Sequence, residues 1–446
     1  MTKNRSIDMT EGTLWNKILI FSIPFMLTNI LQLLYNAADV VVVGRYAGQT
    51  ALAAVGTTGS LSGLLTNLFI GISGGVSVAM ARSFGAKDDK AMHEVVHTAI
   101  SVSLIAGIFL TVVGVIFAPF LLKLISVPDD ILPQASSYMR MIFAGMIPSM
   151  LYNFGSGILR AKGDTKRPLI IISISGIINV ILNLWFVISF KMGAAGVGLA
   201  TTISQCFSAF FIIRILRHEN DSSKLSLRKL KVYKKRLSFI LKIGIPNGLQ
   251  SCIFAFSNIL FQSSVNSFGS ATIAGCAAAG NIEGFMYTAL NTFAQAAMRF
   301  VSQNIGAIKH DRIDKTIKWC LTYVTIMGMI VTVVSVFLGK ALLSIYAPDD
   351  FEVIKIGYTR LFIIGSSYLL CGIMDTFNGA LRGMGASFSG LIVSIIGVCG
   401  IRIVWILVVF PFFRTLEMLF VCYPISWGFT ALLFIIFYIH ERKKFA

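Results

Sequence analysis

Apolar residues run through this chain in long stretches, and polar residues interrupt them at helical intervals. Twelve stretches can be separated, at approximately 18–44, 51–80, 95–122, 132–158, 168–190, 195–216, 238–267, 270–300, 317–345, 353–380, 388–410 and 416–439. Each can cross a bilayer as an α-helix, for which ~20 mainly apolar residues suffice. The pattern predicts an all-α polytopic membrane protein with twelve transmembrane helices.

The first stretch reads ILIFSIPFMLTNILQLLYNAADVVVVG. Asn29, Gln32, Asn36 and Asp39 fall at steps of three, four and three, so they share one helix face, with Tyr35 beside them. The other face is Leu, Ile and Val. A helix that is oily on one side and polar on the other faces a water-filled cavity or a partner. A carboxylate inside a span is unfavourable enough to mark a functional position by default, whereas at the outer end of its helix it would simply reach water. In the fifth stretch Ser175, Asn179 and Asn183 are four apart and line one face, and Thr201 in the sixth can complete a cluster of oxygens and amides around Asp39. Such a cluster can hold a proton, a sodium ion or ordered water. Equally, Asn and Ser in membrane helices hydrogen-bond their neighbours.

The chain repeats itself. SIP at 22–24 answers GIP at 244–246, SFGAKD at 83–88 answers NIGAIK at 304–309, and VPDD at 127–130 answers APDD at 347–350. YMRMIF at 138–143 answers YTRLFI at 358–363, and GILR at 157–160 answers GALR at 379–382. The offset is 220 to 222 residues throughout. A repeat of six spans keeps its orientation in the membrane, so the two six-helix bundles are expected to be related by an axis along the membrane normal, with a cleft between them suited to alternating access. The expected organisation is an amino-terminal bundle (1–216), a basic linker (217–236), a carboxy-terminal bundle (237–440) and a short tail (441–446). Asp39 corresponds to Phe261 and Asn36 to Asn258, so the acid belongs to the first half alone.

The second half carries other charges inside its spans. Glu283 begins a step-of-four stripe with Tyr287, Asn291 and Gln295; Asp375 lies in the tenth span and Arg402 near the middle of the eleventh. One Arg and two carboxylates invite pairing, as a structural pair of Arg402 with an acid or as a substrate site. Arg140 and Arg360, matched across the repeat, read as structural or snorkelling. The spacing Gly71-x-x-x-Gly75 and the run Gly193–Gly198 allow close helix packing. Pro24 and Pro246 lie near the ends of paired spans, where they can kink the first and seventh helices.

Composition supports this picture. Apolar residues make up 56% and charged residues 13%, outside the range of a soluble domain. The net charge of +18 does not point to nucleic acid, because the basic residues lie between the spans. Lys3, Arg5 and Lys17, the Arg82–Lys90 segment, Arg160–Arg167, Arg217–Arg236, Lys309–Lys315 and Arg442–Lys444 all fall on one side, and Asp129, Asp130, Asp349 and Asp350 on the other. Both termini are expected in the cytoplasm of a cell-membrane protein. The basic linker sets topology or binds anionic lipid headgroups. The seven cysteines lie in apolar runs without C-x-x-C spacing and read as small buried hydrophobes. The first 17 residues mix both charges, which does not suggest a cleavable signal. Neither a phosphate-binding G-x-x-x-x-G-K-[ST] nor an H-E-x-x-H, a G-x-S-x-G or a metal-ligand cluster occurs, so no enzyme, cofactor or metal is expected.

The SIP…QLLYNAAD opening, the LRAKGDTKRP loop at 159–168, the glycine-rich run of the sixth span and the doubled six-span layout resemble the MATE (multidrug and toxic compound extrusion) family over nearly the whole chain. The resemblance implies the MATE/MOP-superfamily fold, a V-shaped pair of six-helix bundles, and a monomeric, cation-coupled antiporter that exports organic cations and drugs. Asp39 looks like the first-helix aspartate of the DinF-type branch, which takes the coupling proton, and Asn179 and Thr201 match further polar positions of that site. Asn183 stands where the family often has Asp, which weighs against a two-carboxylate sodium site. Phe254 stands where the NorM-type branch has a Glu, and the NorM-type tenth-helix Asp falls near Cys371 rather than Asp375. These departures favour coupling to protons. Sodium-coupled drug efflux is the alternative, as is a flippase of lipid-linked intermediates, which would need a basic cavity.

Overall fold

The computed structural model describes residues 7–348 and 350–445; Lys3, Arg5 and Asp349 lie outside them. Among the described residues helix accounts for every regular element. Nine helices are long and apolar enough to cross a membrane, and two bent pairs make eleven. The remaining long helix, α9 (Ser270–Gly306), runs for 37 residues, but Gly, Ala and the stripe Glu283, Tyr287, Asn291 and Gln295 lower its hydropathy.

Two compact units form, and their limits fall inside helices rather than in the basic segment 217–236. Unit 1 comprises 7–8 and 23–248; unit 2 comprises 9–22 and 249–445. Unit 1 thus holds most of α1 (Leu14–Tyr46), then α2 (Gln49–Gly85), α3 (Asp89–Leu124), α4 (Leu132–Ala144), α5 (Met146–Ala161), α6 (Lys166–Leu184), α7 (Gly193–Arg217) and the first half of α8 (Lys234–Asn266). Unit 2 holds the rest of α8, α9, α10 (Asp311–Val333), α11 (Gly339–Ser344), α12 (Phe351–Arg360), α13 (Tyr368–Met384), α14 (Ser387–Ser394), α15 (Ile401–Val404) and α16 (Leu416–Arg442). Single π-helical segments interrupt the helices at Trp185–Ser189, Val334–Leu338, Leu361–Gly365, Ile395–Gly400 and Trp405–Val409.

The repeat is written in the backbone. Left-handed φ angles recur at Gly48 (87°) and Gly269 (94°), at Lys87 (51°) and Ile308 (57°), and at Gly163 and Gly385 (both 90°). The bends also recur, 45° between α4 and α5 and 46° between the α12 segment and α13.

Unit 1 shows why the chain belongs in lipid. On α3, Val95, Val96, Ala99, Ile100 and Leu110 are buried, yet Ile105, Ile116 and Phe120 on the opposite face are more than 60% exposed. A helix apolar on both faces needs apolar surroundings on both. Close packing follows the small residues. A Cβ on Gly71 would lie 2.3 Å from the Gly248 nitrogen, and one on Gly75 would lie 2.3 Å from the Ile240 carbonyl oxygen. The partner of Gly71-x-x-x-Gly75 is therefore a second such pair, Gly244-x-x-x-Gly248, on α8. α1 runs unbroken through Pro24, and the Thr28 hydroxyl donates to the Pro24 carbonyl at 2.8 Å.

The segment after α7 is strapped to unit 1. Lys162 donates to Ser223 (2.7 Å) and pairs with Glu219 and Asp221, while Arg167 pairs with Glu219 and Asp164. Burial would raise the Asp221 carboxyl, but Lys162 and Ser223 outweigh it and hold the group below the usual carboxylate range. Ser226 N–H donates to His97 Nε2 at 3.2 Å, Tyr233 N–H to Thr98 at 3.1 Å, and Arg236 to Glu94 at 2.8 Å.

Candidate functional site

In unit 1, α1 and α6 are brought together by one aromatic ring. A Cβ on Gly176 would fall 1.8 Å from the Tyr35 ring, so only glycine admits it, and the Tyr35 hydroxyl donates to the Ser173 carbonyl at 3.1 Å. One turn beyond Tyr35 stands Asp39; two turns beyond Gly176 stands Asn183. The two side chains meet: the Asn183 amide donates to Asp39 Oδ1. The Thr201 hydroxyl, from α7, donates to Asp39 Oδ2 at 3.5 Å, and the Asn179 amide donates to Thr201 at 3.3 Å. The same Asn183 amide nitrogen donates to Asn179 Oδ1 at 3.2 Å, while Asn183 Oδ1 is buried without a partner. Asp39 is 9% exposed and Asn183 fully buried. No cation stands within ion-pair distance of Asp39 among the described residues. Asp39, Asn179, Asn183 and Thr201 thus form one cluster. Asn36 is exposed and lies outside it, as do Asn29 and Gln32.

Unit 2 arranges its charges differently from the sequence expectation. Glu283 pairs with Arg360, not with Arg402. Arg360 Nε donates to Oε1 at 2.7 Å and Nη2 to Oε2 at 2.8 Å, a two-pronged geometry in which both residues are buried. Arg360 therefore does not snorkel. Its repeat mate Arg140 is exposed and donates to the Val115 carbonyl at 3.3 Å. The pairing was hidden in the sequence because it depends on how α9 and α12 are rotated about their axes, which spacing along one helix does not give. Among the described residues Arg402 has no acid beside it: Nε donates to Ser426 at 3.3 Å and Nη1 to Asn258 at 3.4 Å, above the Tyr423 ring.

Asp375, also buried, accepts from Asn291 Nδ2 at 3.0 Å. Asn291 also reaches Tyr287 at 3.2 Å. These side chains line a cavity of about 200 Å³ with Gln250, Gln295 and Arg382. Gln250 links Arg382 to Ser394 through its amide. Gln250 and Arg382 escaped the sequence reading, although Arg382 lies seven residues from Asp375 and hence on its face. All seven cysteines are free; five are buried, Cys252 is half-buried and Cys206 is exposed.

The MatE family model matches this chain twice, at residues 24–185 and 246–408, beginning at the paired prolines Pro24 and Pro246. The chain is 28% identical over 447 residues to the probable multidrug resistance protein YoeA of Bacillus subtilis, covering 98% of this chain and 96% of YoeA. It is 25% identical over 393 residues to the probable multidrug resistance protein YpnP of the same organism, covering 88% and 87% of the two chains. A solved structure of a MOP superfamily transporter from Pyrococcus furiosus is similar with a TM-score of 0.92 at 20% identity, covering 100% of this chain and 99% of that one. At that identity the likeness shows the fold.

Proposed function

The chain belongs to the MATE family of multi-pass membrane transporters, and on that premise we propose that it is a secondary antiporter that exports organic cations and drugs in exchange for protons. The observation that carries this reading is the setting of Asp39. Its carboxylate is buried, receives hydrogen bonds from Asn183 and Thr201, and has no cation among the described residues to neutralise it. A cation brought by substrate satisfies it, and so does a proton.

Ionised Asp39 accepts from both donors and attracts an organic cation. Protonation removes that attraction and turns one acceptor oxygen into a donor. The acceptor available for the new O–H is Asn183 Oδ1, which has no partner and presents itself when the amide turns over. Asn183 in place of an acid thereby lets the cluster read the protonation of one carboxylate, with no second charge to offset. The positive-inside pattern supports a cytoplasmic side for both termini of a cell-membrane protein. Each proton entering then gains about 2.3 kcal/mol per 100 mV of membrane potential. The names of YoeA and YpnP support the drug-export side of the reading.

The test uses purified protein in liposomes loaded with ethidium, under separate proton and sodium gradients. Efflux driven by protons and lost in Asp39→Asn is the expected result. Efflux driven by sodium alone would overturn it and move coupling to unit 2. There Asp375 is the available carboxylate, because Glu283 is already committed to Arg360.

A further inference from the structure

Unit 2 presses two buried guanidiniums against one aromatic pair. Phe261 and Tyr423 meet edge to face with centroids 4.9 Å apart. Arg360 lies over the Phe261 ring at 5.8 Å, and Arg402 over the Tyr423 ring at 4.0 Å. Their electrostatic circumstances differ. Arg360 is 9% exposed and held in a two-pronged pair by Glu283. Arg402 is 5% exposed and has no carboxylate within 4 Å among the described residues. Its two hydrogen bonds, to Ser426 and Asn258, are long and go to neutral oxygens, and Nη2 donates to neither.

A guanidinium stays charged wherever it is placed. Buried at membrane depth without a counter-charge, it is unfavourable and marks a site. Of the buried carboxylates of this unit, Glu283 is committed to Arg360 and Asp375 is turned to Asn291 and the polar cavity. The backbone around Arg402 is also irregular. α15 is a single α-helical turn, with the π-helical segments Ile395–Gly400 and Trp405–Val409 on either side. Such segments gather at functional positions. Asn258, the side chain that touches Nη1, is itself exposed, so the guanidinium lies directly behind a surface residue.

We infer that Arg402 and Asn258 form a subsite for an oxyanion, a carboxylate or phosphate carried on an apolar organic body. The guanidinium edge left open by the protein matches two oxygens of such a group. The Asn258 amide adds a donor, and the Tyr423 ring backs the cation with an apolar wall. The inference rests on the transport reading above and assigns the acidic group of a substrate to this place in unit 2.

The test measures equilibrium binding of fluorescein and of 1-naphthyl phosphate to the full-length purified protein, with ethidium as the reference in parallel samples. In Arg402→Gln the affinity for both anions relative to ethidium is expected to fall at least tenfold. Asn258→Asp, at an exposed position and with the guanidinium kept, sets a fixed carboxylate on Arg402 and is expected to produce the same loss. It keeps the test decisive if Arg402→Gln does not fold. Equal anion affinity in the wild type and in Asn258→Asp, or no anion binding by the wild type, overturns the subsite. Failure of the antiporter reading would appear separately, as ethidium that no gradient moves.

Discussion

The same place in the two halves has been built in opposite ways. Shifted by 222 residues, Asp39, Asn179, Asn183 and Thr201 become Phe261, Ile401, Trp405 and Tyr423. Where Thr201 hydrogen-bonds Asp39 in unit 1, the Tyr423 ring meets the Phe261 ring in unit 2. Unit 1 surrounds an acid with neutral donors; unit 2 surrounds an aromatic pair with two arginines. The backbone devices, by contrast, are shared: the left-handed turns recur at equivalent residues and the bends agree to 1°. A duplicated scaffold has therefore been kept while the polarity of its interior has been inverted. The fold sets the positions, and the side chains set the charge that each half can hold.

Several substitutions would break or sharpen this contrast. The largest effect is expected from Asp39→Asn, which is isosteric and should remove at least tenfold of proton-driven ethidium efflux with little change in thermal unfolding. Retained efflux would mean that unit 1 is not the coupling half. Next, Glu283→Gln leaves Arg360 buried and unpaired, which should lower stability by about 3–5 kcal/mol. Adding Arg360→Met should recover most of that loss, as read by denaturation of the single and double variants. A pair that can be broken at no loss would remove the structural role given to it here. Phe261→Ala should cost roughly 3 kcal/mol in the same assay, by opening a cavity between Tyr423 and Arg360. Asn183→Asp would give unit 1 two carboxylates, and efflux should then respond to a sodium gradient; unchanged ion dependence would show that one acid already decides the coupling. The smallest effect concerns the paired turns. Ile308 is β-branched at a φ of 57°, whereas Lys87 has 51°. Ile308→Gly should stabilise by up to ~1 kcal/mol and by more than Lys87→Gly, in the order of melting temperatures.

The spans and the repeat were legible because apolar run length and pairwise motif matches are one-dimensional quantities. The Asp39 cluster was nearly so. A step of four places Asn179 and Asn183 on one face, and the loss of the acid at Phe261 marked Asp39 as peculiar to its half. The pairing of Glu283 was not legible, since it depends on how two helices are rotated about their axes. Arg402 lies between two π-helical turns, and such turns advance the side chains that follow them out of a 3.6-residue rhythm. The unit limits were hidden for a related reason: residues 9–22 and 234–248 follow their packing partners rather than their neighbours in the chain.

That assignment has a consequence for how the protein is made. Met9, Thr10, Glu11 and Gly12 leave the ribosome well ahead of their partners Gln303, Asn304, Lys309 and Arg312, which follow some 300 residues later. Unit 1 likewise waits for Gly244 and Gly248 of α8 to fill the notch at Gly71 and Gly75. Translation therefore passes the basic segment 217–236 with the first unit still missing a helix face, and reaches α10 before the opening of the chain finds its place. Neither half can be released as a finished piece during synthesis. A gene cut at the basic segment would yield two fragments, each lacking a strip encoded by the other.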